Sequence, residues 1–303
     1  MQILHCSTVD AVQAIISHSD GLISEPEIIA YLEPFMKEGS ITPVEDPSGN
    51  ELIARLTPSA SFLPSATIEA IESFICICRQ ISDASMDLMR TTERVLKSAV
   101  SNVFADCSRS SQWHNRSGFF YRRERSANYF DDFQTLLRSK STRYGNANDA
   151  SSSEMIVWML SFTDLSKTFY WVGDALYCAK VEVSKCFGIS KPDVLSYGLR
   201  SISENVRNLD AHLKPSYRIS NDKPFSDKSR LAMLNPWIST KCNLGRFYGR
   251  MCFLVYITTT FTDRRSQDAR REIKSLIQQL PKMTLNYMGV QSGWVNEPLW
   301  SNI

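Results

Sequence analysis

The chain is short of most of the features that would place it quickly. It has no CxxC pair, and none of its eight cysteines is spaced with a histidine as zinc ligands are, so a structural zinc site is not expected. It has no long apolar run: the longest, Met251 to Ile257, is far too short to span a bilayer. The opening MQILHCSTVD lacks a basic region followed by an apolar core, so no signal peptide is read there. It lacks a charge excess: a formal net charge of +2 does not by itself call for a nucleic-acid partner. It has no cluster of carboxylates of the kind that holds magnesium or manganese. Histidine is scarce, with four in 303 residues. Cysteines inside apolar runs such as FICICRQ and MCFLVYI point to a reducing compartment, and the expectation is a cytoplasmic protein with no membrane partner.

What is present is helical patterning. Residues 7–19, STVDAVQAIISHS, place Val9, Val12, Ile15 and Ile16 at helical spacing behind a Ser/Thr cap. A second helix is expected from Ser24 to about Lys37, kinked at Pro34 and ended by Gly39. Then ITPV, EDPSGN and ELIARL spell strand, turn, strand. Helices followed by a hairpin fit either a small winged-helix-like unit, in which case a DNA-binding regulator, or an irregular extension of a larger body. Residues 1–60 are taken as this N-terminal extension. The Ser/Pro-rich stretch from Thr57 to Ser65 reads as a linker, and 61–303 as an all-α body.

Within that body, 67–106 is expected to form one long helix or a pair broken at SDAS. Residues 107–153 are polar. They hold Arg109, Arg116, Arg122, Arg123 and Arg125 among Trp113, Phe119, Phe120 and Tyr121. Arginine interleaved with aromatics suits a single-stranded nucleic-acid groove; the plainer reading is an exposed connection. MIVWMLSFTDLSKTFYWV is expected to resume the core as an apolar helix, and Gly188 to stop the helix after it. Lys191–Pro192–Asp193 opens the next. NLGRFYGRMCFLVYITTTF reads as another core helix. In RRSQDARREIKSLIQQL, the arginines 264, 265, 270 and 271 read as a solvated face. The aromatic tail YMGVQSGWVNEPLW is expected to dock back on the body.

The chemistry concentrates in RSISENVRNLDAHLKPSYR, residues 200–218. In a helix, Asn208 and His212 share a face, with Glu204 one turn earlier on it. Arg207 lies about 140° around the axis from His212, so one helix does not bring the two onto one atom. Two copies of the helix meeting in a symmetric pair would. Histidine titrates near neutrality and takes a proton from a hydroxyl, while arginine grips phosphate oxygens in a fork. Together they suit attack of a ribose 2′-hydroxyl on the adjacent phosphate, a reaction confined to RNA. The plainer reading is a surface or core histidine on an ordinary helix. Pro215 is expected to end the helix, and Lys214, Tyr217 and Arg218 form a basic-aromatic exit. Asp210 and Lys214, four apart, read as a surface ion pair.

Arg207-Asn208 followed after three residues by His212 resembles the Arg-Asn-x3-His signature of HEPN-superfamily ribonucleases. The wider chain resembles the Abi-like abortive-infection family of the AbiD/AbiF type over roughly residues 85–260. Four blocks carry this in order: RTTERVLKSAV with Arg94, MIVWMLSFTDLSKTFYWV, KCFGISKPDVLSYGLRSISENVRNLDAHLKPSYRI, and NLGRFYGRMCFLVYITTTF. The family pattern carries a second histidine and an Arg-x-Trp-Asn run after the motif; here Leu213 and LKPSYRI stand there. The N-terminal 60 residues do not match the pattern. The resemblance implies an all-α HEPN bundle with its core at about 150–262, dimeric about the motif helices. It implies a metal-independent endoribonuclease toxin of phage defence that needs no cofactor and leaves a 2′,3′-cyclic phosphate. It further implies restraint by a small non-coding RNA or an antitoxin. Arg207 and His212 would be catalytic, Asn208 would orient His212, and Glu204 would support them. RNA would be bound by Lys214, Tyr217, Arg218, Arg116, Arg122, Arg123 and Arg125. A non-catalytic HEPN protein that binds RNA or a partner is the alternative.

Overall fold

The computed structural model describes residues 8–18, 25–45, 52–64, 66–121, 129–144, 152–203 and 247–303. Among these the chain is an all-α bundle with one small hairpin. Helix α1 spans Thr8–His18 and α2 spans Glu25–Leu32. At Pro34 the chain tightens into a 3-10 turn, Glu33–Phe35, because proline removes an amide donor and crowds the preceding turn. Gly39 then takes the left-handed conformation at φ 77° that turns the chain into the hairpin. Strands β1 (Ile41–Glu45) and β2 (Leu52–Leu56) pair antiparallel, with Ile41 opposite Leu56 and Glu45 opposite Leu52.

The Ser/Pro-rich stretch after the hairpin does not hang free. The Lys37 amide donates to the Ser61 carbonyl at 3.0 Å, and the Leu63 amide to the Phe35 carbonyl at 2.8 Å. Phe35 and Tyr31 meet Phe74 edge-on, which seats α2 on the long helix that follows.

That helix, α3, runs unbroken for 41 residues, Ile68–Ser108. Thr67 caps its start by accepting from the Ala70 amide at 3.1 Å. The polar SDAS stretch does not break it: Ser85 turns its hydroxyl back to the Ile81 carbonyl at 2.5 Å and also reaches Met251 Sδ. The helix ends at Arg109, the only non-glycine residue at positive φ among the described residues.

After it come 3-10 turns at Trp113–Asn115 and Ser117–Phe119, then α4 (Tyr129–Tyr144). The expected single helix 155–172 is two, α5 (Ser153–Met159) and α6 (Phe162–Trp171). Ser161 splits them. Its side chain accepts from the Asp164 amide while Asp164 accepts from the Ser161 amide, a reciprocal capping box that starts a new helix. Helix α7 (Tyr177–Lys185) ends before Gly188, at φ 67°, and α8 (Pro192–Ile202) begins on its proline.

Helix α9 (Phe247–Thr258) is buried on every side except at Tyr256, in keeping with a sequence that is apolar around most of the helix apart from Arg250. It packs on α3, α8 and the C-terminal tail. Helix α10 (Arg264–Gln279) lies along α3. Its arginines are not all on a solvated face. Arg264 and Arg271 are exposed, but Arg270 is buried and donates to the Thr258 and Phe261 carbonyls, closing the orphan end of α9. After α11 (Lys282–Met288), the tail docks as expected. Trp300 stacks on Tyr248 at 6.1 Å and meets Trp294 edge-on, and α12 (Pro298–Ser301) closes the chain. Among the described residues no helix is long and apolar enough to cross a membrane.

Candidate functional site

The described structure carries the chain up to the motif. Glu204, Arg207, Asn208, His212, Lys214, Tyr217 and Arg218 lie outside the described residues, as do Arg122, Arg123 and Arg125. So do the expected helix stop at Pro215 and the loop 219–229. What is described is the helix that precedes the motif in sequence, α8.

Helix α8 begins where Pro192 fits the first turn without losing a needed amide bond, and Asp193 sits favourably at the positive end of the helix dipole. Val194, Leu195, Leu199 and Ile202 are buried and hold the helix in the bundle. At Gly198 the fit to α9 is closest. A Cβ there would lie 1.9 Å from Phe253 Cζ, so only glycine lets the Phe253 ring lie against the α8 backbone.

Polar contacts fix the C-terminal end of α8, next to the motif. Ser203 and Ser166 hydroxyls lie 3.1 Å apart, which ties α8 to α6. Arg250, wholly buried on α9, donates through Nε to Ser201 Oγ at 3.1 Å. A guanidinium inside a core is tolerated only where hydrogen bonds replace its water.

On the other face of α8 the side chains are half-buried. Tyr197 meets Tyr170 edge-on at 5.8 Å, and the Arg200 guanidinium lies over the same Tyr170 ring at 5.8 Å. Tyr129 follows at 6.0 Å from Tyr170 and stacks on Trp171. Burial first, then the neighbouring Tyr129 and Tyr197, pushes the Tyr170 phenol up to about 12, so it stays protonated at neutral pH. Beneath this cluster, Lys180 is buried and donates to the Val172 carbonyl at 3.1 Å, with the Tyr121 and Phe169 rings each 5.4 Å away. Burial lowers its pKa, opposed by the charges of Asp193 and Asp174. Tyr121 donates to Asp174 Oδ1 at 2.8 Å.

Among the described residues of the basic-aromatic stretch, two of the four aromatics belong to the core. Trp113 and Phe120 are buried, stacked with Phe133 and, for Trp113, edge-on to Phe104. Rings committed to a core are not open to bases. Arg116 is exposed, with its guanidinium 5.7 Å from the Phe119 ring centre. Arg109 ends α3. Early in the bundle, Arg94 is exposed and donates to Thr91 Oγ1 at 3.3 Å, while its neighbour Glu93 pairs with Lys97 at 2.9 Å.

Sequence reading missed Arg250 and the Tyr170–Tyr197–Arg200 cluster. A signal for the first was there: Arg250 is a charge set beside the apolar run MCFLVYI. For the second it was the spacing of Tyr197 and Arg200, three apart on one helix. Among the described residues, no group of three or more His, Cys, Asp or Glu side chains is arranged to hold a metal.

Residues 27–218 match the family model described as Abi-like protein. No curated protein and no solved structure matches the chain. The matched span begins inside α2, so α2 and the hairpin fall within the family's region, contrary to the expectation that the first 60 residues stand outside it. It ends at Arg218, the last residue of the candidate motif stretch.

Proposed function

Because the chain belongs to the Abi-like family, which is tied to abortive infection in phage defence, we propose that it is an endoribonuclease toxin of that defence. One observation carries the reading: the family match runs from 27 to 218 and so contains Arg207, Asn208 and His212 in their Arg-Asn-x3-His order. The HEPN placement of that motif is part of the proposal.

The reaction needs an RNA 2′-hydroxyl, a base, an acid and a cation. His212 takes the 2′-hydroxyl proton as that oxygen attacks the adjacent phosphorus. The bond from phosphorus to the 5′-oxygen breaks, and that oxygen leaves with the proton that His212 took up, now returned by it as the acid. Arg207 holds the charge that gathers on the phosphorane oxygens. The product is a 2′,3′-cyclic phosphate. No step requires a metal or cofactor. Asn208 orients His212, and Glu204 supports the same face. On the helix expected from the sequence Arg207 and His212 would diverge around the axis, so the site would be completed by a second copy of the chain. Lys214, Tyr217, Arg218, Arg116, Arg122, Arg123 and Arg125 contact the RNA. Restraint comes from a small non-coding RNA or an antitoxin, and the site of action is the cytoplasm.

The test uses purified full-length protein with end-labelled RNA and a chelator. Defined fragments ending in 2′,3′-cyclic phosphate are expected, and His212→Ala and Arg207→Ala should each abolish them while far-ultraviolet circular dichroism stays unchanged. Fragments from the His212→Ala protein equal to those of the parent would remove the catalytic assignment. Tight RNA binding with no fragments would favour a non-catalytic RNA-binding member of the family.

A further inference from the structure

A groove of about 410 Å³ opens where residues after α9, the first half of α10 and the C-terminal residues meet. That volume falls within the roughly 300–1,000 Å³ of pockets that hold small molecules. Leu299 and Ile303 give the groove an apolar part, and the consecutive Arg270 and Arg271 give it two guanidinium groups. Gln267 and Asn302 add side-chain amides. Their nitrogens donate to the Thr262 and Pro298 carbonyls at 2.9 and 2.8 Å, and their oxygens remain as acceptors. Lys274, one turn further along α10, donates to the Trp300 and Ile303 carbonyls and so pins the C-terminal residues that shape the groove.

The two arginines are placed differently. Arg270 is only 7% exposed and donates to the Thr258 and Phe261 carbonyls. A guanidinium carries more N–H donors than two carbonyls take up. Burial lowers the Arg270 pKa; the charge of Asp263 opposes this, and the neighbouring Arg271 charge adds to it. Arg271 is exposed and meets Asp268 at 3.2 Å, with both side chains more than half open to water. A pair so exposed holds weakly, which leaves Arg271 able to turn to another anion. Closing the end of α9 accounts for the two bonds of Arg270 and for nothing at Arg271.

We propose that this groove binds a small phosphomonoester with a flat organic body, of the chemical type of a nucleoside monophosphate. Two guanidinium groups side by side match the double charge of a phosphomonoester better than the single charge of a carboxylate. The phosphate oxygens accept from the N–H groups that the carbonyls leave over, which offsets the cost of a buried cation. The base lies against Leu299 and Ile303. Its polar edge meets Gln267 and Asn302, whose amides pair a donor with an acceptor as a nucleobase edge does. Because Arg270 also closes the end of α9, an occupied groove holds α9, α10 and the C-terminal residues together. The inference does not rest on the ribonuclease reading.

The experiment titrates purified full-length protein with adenosine 5′-monophosphate, with adenosine and with inorganic phosphate, following binding by calorimetry and unfolding by a thermal shift. A ligand that binds the folded form alone raises the melting temperature, and saturating adenosine 5′-monophosphate should raise it by about 2 °C or more. Adenosine should give no shift, and inorganic phosphate should bind about tenfold more weakly. Arg271→Ala, at an exposed position, should keep the fold and weaken the nucleotide about tenfold, the loss of one charged hydrogen-bonding partner. Arg264→Ala removes the same charge from the same helix outside the groove and should leave binding unchanged. No shift in the parent, a shift that survives in Arg271→Ala, or an equal loss in Arg264→Ala would overturn the site. Inorganic phosphate or adenosine binding as tightly as the nucleotide would overturn the ligand class.

Discussion

Arg250 on α9 reaches Ser201 on α8 at 3.1 Å, and neither side chain is open to solvent. The bond joins a buried charge to the helix that precedes the candidate motif in sequence. Losing the serine hydroxyl leaves one guanidinium N–H without that acceptor in a place water does not reach. Ser201→Ala is expected to lower unfolding stability by about 1–3 kcal/mol, the cost of stranding a buried donor. Urea denaturation of the variant and the parent measures it, and an unchanged midpoint would show that the bond is dispensable.

Gly198 supplies a second, steric test. Its replacement by alanine sets a Cβ 1.9 Å from the Phe253 ring, so α8 and α9 must move apart or the ring must shift. Overpacking of this kind costs about 1–3 kcal/mol. Adding Phe253→Leu, which shortens the opposing side chain, should restore part of the loss. A double variant no more stable than Gly198→Ala alone would place the strain elsewhere. If the motif acts as proposed, the cleavage rate should fall with Gly198→Ala and recover partly in the double variant.

The third prediction concerns acid. Arg265 on α10 grips Asp87 on α3 with both ends of its guanidinium, Nη2 to Oδ1 at 2.6 Å and Nε to Oδ2 at 3.1 Å. That hydrogen-bonded pair, with Arg90 nearby, holds the Asp87 carboxyl below the usual carboxylate range. The folded form therefore favours the ionised carboxylate. The stabilisation is fully present above the unfolded value of about 3.9 and is lost as pH falls through the lower folded value. Asp87→Asn should be less stable than the parent at neutral pH, and the gap should close as the solution is acidified below that range. Chemical denaturation at several pH values checks this, and a gap independent of pH would exclude the linkage.

The elements that announce themselves locally are the ones legible in the sequence. The 3.6-residue pattern of α1, the proline at Pro34 and the left-handed Gly39 and Gly188 each act within a few residues, and the structure agrees. The split at Ser161 was written in the same local code, as Ser-Phe-Thr-Asp, but the apolar run around it hid it. Helix α4 was hidden for the opposite reason. Tyr129, Phe130, Phe133 and Leu137 have helical spacing, yet they sit in a stretch dominated by polar and basic residues. Long-range partners were not legible. Nothing near Arg270 says that its guanidinium closes the end of another helix, and nothing near Trp113 says that its ring belongs to a core. The candidate site divides in the same way. The order of Arg207, Asn208 and His212 is a sequence fact, whereas the Arg250 and Gly198 contacts that hold α8 depend on how α9 returns to it.

Helix α3 has one more consequence. Its 41 residues contain neither proline nor glycine, and at ~1.5 Å rise each they make a rod of about 60 Å. Such a rod has no built-in joint. Phe74, near one end, carries α2, and the same helix packs on α7. A push delivered where α2 rests cannot be absorbed by bending at a hinge along the way. The same continuous helix packs on α7, α9 and α10, which makes α3 the element that joins the hairpin end of the molecule to the later helices.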